Sequence, residues 1–362
     1  MTIRQLIALC VAAAAPLSAQ NSRTTPGVVG DYVVRDFRFA SGEMLPQLTL
    51  HYRTLGQPRR DARGVVRNAV LIMHGTTGAG TQFLSPSFAG ELYGAGQPLD
   101  TTKYYVVLPD GIGHGLSSRP SQGLHARFPH YTYDDMVDAD HRLLTEKLGV
   151  THLRLVMGTS MGGMHSWIFA ERYPDFMDAA VPLASVPTSI AGRNRMIRKM
   201  AMDDIRRDVE WKGGEYTAPP SGLRGALQML YIMTSAPLVQ HRDAPTRDSA
   251  DAIITRYLDA RMRDTDANDF LYAFDASRDY DPEPLLSRIT VPVLAINSAD
   301  DQVNPPELGI IERLIKRVSA GRFVMIPIGP ATRGHGTHTV AAVWKKPFAI
   351  FLDALSPLPV LH

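Results

Sequence analysis

Gly158-Thr159-Ser160-Met161-Gly162-Gly163 follows an apolar run and precedes a stretch of helical pattern from Met164 to Arg172. A serine in G-x-S-x-G between a strand and a helix is the signature of a nucleophile elbow. The turn is tight enough to hold the serine in a strained backbone conformation, and side chains at Gly158 or Gly162 would collide with neighbouring segments. A phosphate-binding turn is the alternative reading, but the glycine spacing fits neither G-x-G-x-x-G nor a Walker loop.

A serine hydroxyl attacks a carbonyl only when a base takes its proton and a carboxylate orients that base. With the serine on an elbow, the expected chain order is serine, acid, histidine. The apolar run VPVLAI (291–296) leads into NSADDQVNPPE, which places Asp300 and Asp301 at a strand end. Asp301 is the preferred acid because a proline, Pro305, follows four residues later, with Asp300 the alternative. The run RFVMIPI (322–328) leads towards TRGHGTH, where His335 is the preferred base and His338 the alternative. A metal site built from these two histidines is opposed by the surrounding glycines and by the lack of an adjacent acidic ligand. His114 and His165 read as structural. An oxyanion needs amide donors, and Met161, directly after the serine, supplies one. The second is expected from His74-Gly75-Thr76-Thr77-Gly78, with Thr76 preferred and His74 a structural hydrogen-bonding residue.

Six short apolar runs could position these groups: AVLIM (69–73), YYVVL (104–108), LRLVM (153–157), AAVPLA (179–184), VPVLAI and RFVMIPI. Continuous rather than alternating apolar runs predict strands buried on both faces, as in a mostly parallel sheet flanked by helices, and so an α/β fold. The segment YTYDDMVDADHRLLTEKLG reads as a helix with Thr132 and Asp135 as a capping box and Gly149 as its stop. VAAVWKKPFAIFLDAL reads as a closing helix with Pro347 as a kink or a first-turn residue. From about 187 to 282 the rhythm changes to Met- and Arg-rich helical stretches, which predicts a helical cap inserted over the carboxyl edge of the sheet.

The 362 residues, 44% hydrophobic and 20% charged, suffice for a sizeable core. The net charge of +2 is not gathered into a basic stripe, which argues against nucleic acid as a partner. Residues 1–19 read as a signal peptide, with Arg4, an apolar stretch from Leu6 to Leu17, and small residues at Ser18 and Ala19. That stretch is well short of the roughly 20 residues of a membrane span. The expectation is therefore a secreted or periplasmic protein without stable membrane insertion, its main domain covering 20–362. The single cysteine, Cys10, lies within the leader, so the mature chain would have neither a disulfide nor cysteine chemistry. No cofactor or metal is implied.

Beyond single motifs, NAVLIMHG, ARFPHYTYDDMV, GTSMGGMHSWIFAERYPD, DVEWKGGEY and DANDFLYAFDASRDYD resemble the homoserine O-acetyltransferase branch of the α/β-hydrolase superfamily over nearly the whole mature chain. The resemblance implies an α/β-hydrolase fold, a Ser160/Asp301/His335 triad, an acyl-serine intermediate and a homodimer formed through the cap helices. Two departures bear on the acceptor. The family's arginine for the homoserine carboxylate falls at Leu227, and the aspartate that follows the family's catalytic histidine is Gly336 here. Each lost charge-assisted contact would cost about 1.5–3 kcal/mol. With the export signal, this favours hydrolysis of a small acyl ester over transfer of an acetyl group from acetyl-CoA to an alcohol. A non-catalytic binding protein is the least favoured reading.

Overall fold

The computed structural model describes residues 27–358; the expected signal peptide lies outside them. Eight strands form one sheet: β1 (Val28–Arg38), β2 (Met44–Leu55), β3 (Ala69–Met73), β4 (Tyr105–Pro109), β5 (Leu155–Thr159), β6 (Ala180–Leu183), β7 (Val293–Ser298) and β8 (Gly321–Ile326). Their order is β1-β2-β4-β3-β5-β6-β7-β8. β2 pairs antiparallel with both β1 and β4, and every other pairing is parallel. The six apolar runs become β3 to β8, with boundaries displaced by up to two residues. β3, β4, β5, β6 and β7 are buried along their whole length, as expected of strands covered on both sides.

Alternation sorts the two faces. Leu71 and Met73 join one apolar cluster while Val70 and Ile72 join the other. The helices in chain order are α1 (Pro86–Leu92), α2 (Tyr133–Arg142), α3 (Met161–Arg172), α4 (Gly192–Arg207), α5 (Ser221–Thr234), α6 (Pro237–Asp243), α7 (Arg247–Asp264), α8 (Ala267–Asp275), α9 (Ile310–Leu314) and α10 (Ala341–Asp353). α2 carries the expected capping box, with the Thr132 hydroxyl accepting from the Asp135 amide and the Asp135 carboxylate from the Thr132 amide. It then loosens into a π-helical turn, Leu143–Lys147. Pro347 sits inside α10.

Between β6 and β7 the chain is helical, α4 to α8, and carries its own apolar cluster of Ile205, Leu223, Leu227, Phe270 and Phe274 among others. Among the described residues no helix is long and apolar enough to cross a membrane.

Asp140 on α2 is 3% exposed, and one of its carboxylate oxygens has no hydrogen-bond partner. Burial pushes its pKa up to about 8. The folded chain therefore keeps this proton to a higher pH than the unfolded chain, and stability falls as pH rises from about 4 to about 8. Asp140→Asn should remove that slope and raise the melting temperature at pH 9 by roughly 2 °C or more, with no gain at pH 4. Thermal melts across pH check this, and an equal effect at both ends would refute it.

Candidate active site

The turn from β5 into α3 holds Ser160 at φ 56° and ψ −112°. L-residues other than glycine rarely occupy this region. Its surroundings enforce it: a Cβ on Gly162 would lie 1.9 Å from the Met73 carbonyl oxygen, and one on Gly158 would lie 2.2 Å from the Gly162 oxygen. The strand, the elbow and the helix thus close on one another through bare backbone, and Ser160 stands at the carboxyl edge of the sheet.

The loops after β7 and β8 bring Asp301 and His335 to it. His335 Nε2 lies 2.8 Å from Ser160 Oγ, and His335 Nδ1 lies 2.9 Å from Asp301 Oδ2 and 3.1 Å from Oδ1. With Nδ1–H donating to the carboxylate, Nε2 is the lone-pair nitrogen that faces the hydroxyl. Asp301 is fully buried. Burial alone would raise its pKa, but the neighbouring His335 and the amides of Asn304 and Val303 outweigh that and hold it below the ordinary value. These amides donate to Oδ1 over 3.1 and 2.8 Å.

Asp300 and His338 occupy different places. The Asp300 carboxylate accepts from the Gly334 amide at 3.0 Å and from the Ser298 hydroxyl, so it braces the histidine loop instead of meeting the ring. The carbonyl of His338 accepts from Trp344 Nε1 at 3.1 Å. Its ring packs edge-on to His335. Burial, helped by His335, lowers the His338 pKa to about 3.

The loop after β3 lies against the serine, where a Cβ on Gly75 would be 3.5 Å from Ser160 Cβ. Among the described residues neither the Met161 nor the Thr76 amide donates a hydrogen bond; Met161 is in the first turn of α3, whose amides have no intrahelical acceptor. His74 Nδ1 donates to the Gly75 carbonyl at 2.8 Å, and its Nε2 accepts from the Gly111 amide at 2.9 Å. Burial first, then His114, lowers its pKa to about 3. His114 Nε2 lies 2.8 Å from the Thr76 carbonyl, which pins the peptide next to the candidate oxyanion donor. His165 is buried edge-on against Tyr133.

A cavity of about 430 Å³ opens over these groups, bounded by Thr76, Ser160 and His335 on the sheet side and by Arg198, Met233 and Arg261 on the helical side. Sequence reasoning did not single out Asn304, which ties the acid loop to the Ala184 carbonyl at 2.8 Å, nor Arg198. The signal for Arg198 was its spacing: Ala201, Met202 and Ile205 share its helical stripe and are all buried.

A family model described as alpha/beta hydrolase fold matches residues 68–326. A homoserine O-acetyltransferase from Pelobacter propionicus is 31% identical over 358 residues, 89% of this chain and 92% of the relative. Two solved structures share the fold: a homoserine O-acetyltransferase from Bacillus anthracis (TM-score 0.79, 20% identity, covering 92% of this chain and 99% of the other) and an acetylester hydrolase from Corynebacterium glutamicum (TM-score 0.77, 20% identity, 91% and 95%). The chain belongs to the α/β-hydrolase superfamily, in its homoserine O-acetyltransferase-like branch.

Because the Ser160 backbone is strained, Ser160→Gly should be more stable than Ser160→Ala. The gap should be about 1 kcal/mol after the flexibility cost of glycine. Parallel denaturant titrations of the two variants measure it, and an alanine variant at least as stable would show that the elbow stores no strain.

Proposed function

We propose that the protein transfers an acyl group through a covalent Ser160 ester, passing it to a hydroxyl compound other than homoserine. The 2.8 Å contact between His335 Nε2 and Ser160 Oγ carries this reading. As Oγ bonds to the acyl carbon, its proton moves to Nε2 and Asp301 stabilises the imidazolium. The carbonyl oxygen becomes negative within reach of the Met161 and Thr76 amides, which have no competing acceptor. When the tetrahedral intermediate collapses, the bond to the leaving group breaks and the leaving group takes the proton from His335. A hydroxyl acceptor then gives its proton to the same nitrogen as it attacks the ester carbon, and on collapse the bond to Oγ breaks and Ser160 Oγ takes that proton back from His335.

The full-length similarity to a homoserine O-acetyltransferase supports transfer. Homoserine itself is disfavoured: Leu227 is fully buried in the cluster of the helical segment, and Gly336 offers no carboxylate after His335. Hydrolysis, with water as acceptor, is the second reading. The loss of charged side chains at Leu227 and Gly336 and the export signal expected on residues 1–19 favour it, as does the fold shared with an acetylester hydrolase.

Intact-mass spectrometry after brief exposure to 4-nitrophenyl acetate or acetyl-CoA should show one acetyl adduct, absent in Ser160→Ala. Clearance by an added alcohol faster than by water supports transfer, and clearance by water alone supports hydrolysis. Adduct formation by Ser160→Ala would overturn both. Asp301→Asn should slow acylation about 10³- to 10⁴-fold by disturbing the histidine tautomer. Asp300→Asn should cost far less, and equal losses in stopped-flow acylation would reverse the assignment of the two carboxylates.

A further inference from the structure

The cavity over Ser160 is lined by two arginines, Arg198 and Arg261, and by no aspartate or glutamate. Arg198 is 2% exposed. Its Nε donates to Asn194 Oδ1 at 2.9 Å and its Nη1 to Ser277 Oγ at 3.2 Å, while the guanidinium lies 5.1 Å over the Phe274 ring. These partners are neutral, and among the described residues no carboxylate pairs with it. Burial lowers its pKa, opposed by the Tyr133 hydroxyl, yet a guanidinium stays charged in a protein. A buried charge without a counter-charge is costly, and the neutral contacts only partly offset that.

Three neighbouring atoms are likewise unsatisfied: Arg261 Nε, the Tyr133 hydroxyl and the Thr76 hydroxyl are buried without a hydrogen-bond partner. The Tyr133 hydroxyl lies close to Arg198, Thr76 and Ser277. Three nearby acids are committed elsewhere, and Asp264, beside Arg261, is exposed. Asp301 is held by His335, Asp269 by Ser121 and Arg119, and Asp266 by Tyr216 and the first turn of α8.

Arg198 has five N–H groups and spends two on Asn194 and Ser277. The three remaining N–H groups, with the Tyr133 hydroxyl close by, suit one planar carboxylate in bidentate contact. Asn194 also donates to the Val303 carbonyl at 3.3 Å on the acid loop, so the guanidinium is fixed relative to the Asp301 side of the site. We propose that the cavity binds a substrate carrying a carboxylate, held by Arg198 with Arg261 adding charge at the rim. The reading rests on acyl chemistry at Ser160. It uses a residue on α4, whereas Leu227 on α5 is packed into the core of the helical segment.

The test uses two ester pairs, each rate being divided by that ester's own alkaline hydrolysis rate. Acetoxyacetate against its methyl ester places the carboxylate on the alcohol side; the 4-nitrophenyl hemiester of succinate against its methyl ester places it on the acyl side. The wild-type protein should prefer the charged member of one pair by about tenfold or more in kcat/KM, and the pair that responds identifies the side. Arg198→Gln should bring that ratio to within about threefold of unity, with Arg198→Lys in between. Arg198→Met, which keeps the stem on Phe274, replaces the Gln variant if circular dichroism shows that the latter is unfolded. A wild-type ratio of one or below in both pairs, or a ratio that survives loss of the guanidinium, overturns the proposal. Calorimetric binding of the same esters to Ser160→Ala, with and without Arg198→Gln, reads the carboxylate preference without turnover. A failure of serine chemistry is thereby distinguished from a failure of the carboxylate site.

Discussion

The arrangement depends on one close approach, the backbone of Gly162 against the carbonyl of Met73. β5 and α3 can be joined by an elbow this tight against β3 only if the residue two past the serine has no side chain. Once they are, Ser160 takes a conformation that costs of order 1–3 kcal/mol. The buried strands and the all-buried face of α3 hold it there. The same contact carries the β3 loop against the serine, so nucleophile geometry and candidate oxyanion donors are set together. The Gly162 amide donates to the His74 carbonyl at 2.9 Å, which aligns the two segments further.

Charge inside this edge is managed by division of labour between adjacent carboxylates. Asp301 faces His335 and two backbone amides, while Asp300 faces the amide of Gly334, one residue before that histidine. One carboxylate orients the ring and the other anchors the loop that presents it. Successive residues on one strand-end turn point different ways, so neither could serve both ends. Buried His74 and His338, with pKa values lowered to about 3, remain neutral beside the site and add no positive charge to it.

Much of this was legible in the sequence because continuous apolar runs and the glycine pattern report backbone constraints directly. β3 to β8, the elbow, α2 with its capping box and the chain order of Ser160, Asp301 and His335 are local signals of that kind. β1 and β2 escaped because an antiparallel pair at the sheet edge is buried on alternate residues only, as in Val28–Arg38, where Tyr32, Val34 and Phe37 are buried between exposed neighbours. Only the spacing to Pro305 favoured Asp301 over Asp300 in the sequence, since the physical distinction lies in where two neighbouring side chains point. Arg198 was hidden among the five arginines of 193–207, and only its place in the apolar stripe distinguishes it.

On the proposed carboxylate site, that hidden position would let one scaffold change its substrate without changing its chemistry. The elbow and its partners are fixed by sheet edges and backbone contacts, which tolerate little change. The helical segment between β6 and β7 has its own apolar cluster, so inward residues that do not touch the acid loop can be exchanged mainly at the cost of packing within it. A leucine at 227 closes that cluster, whereas an arginine one helix earlier opens onto the cavity. If the proposed carboxylate site holds, a positive charge on α4 instead of α5 changes the direction from which an anionic group approaches Ser160, while the distances among Ser160, His335 and Asp301 are set by the sheet and need not move.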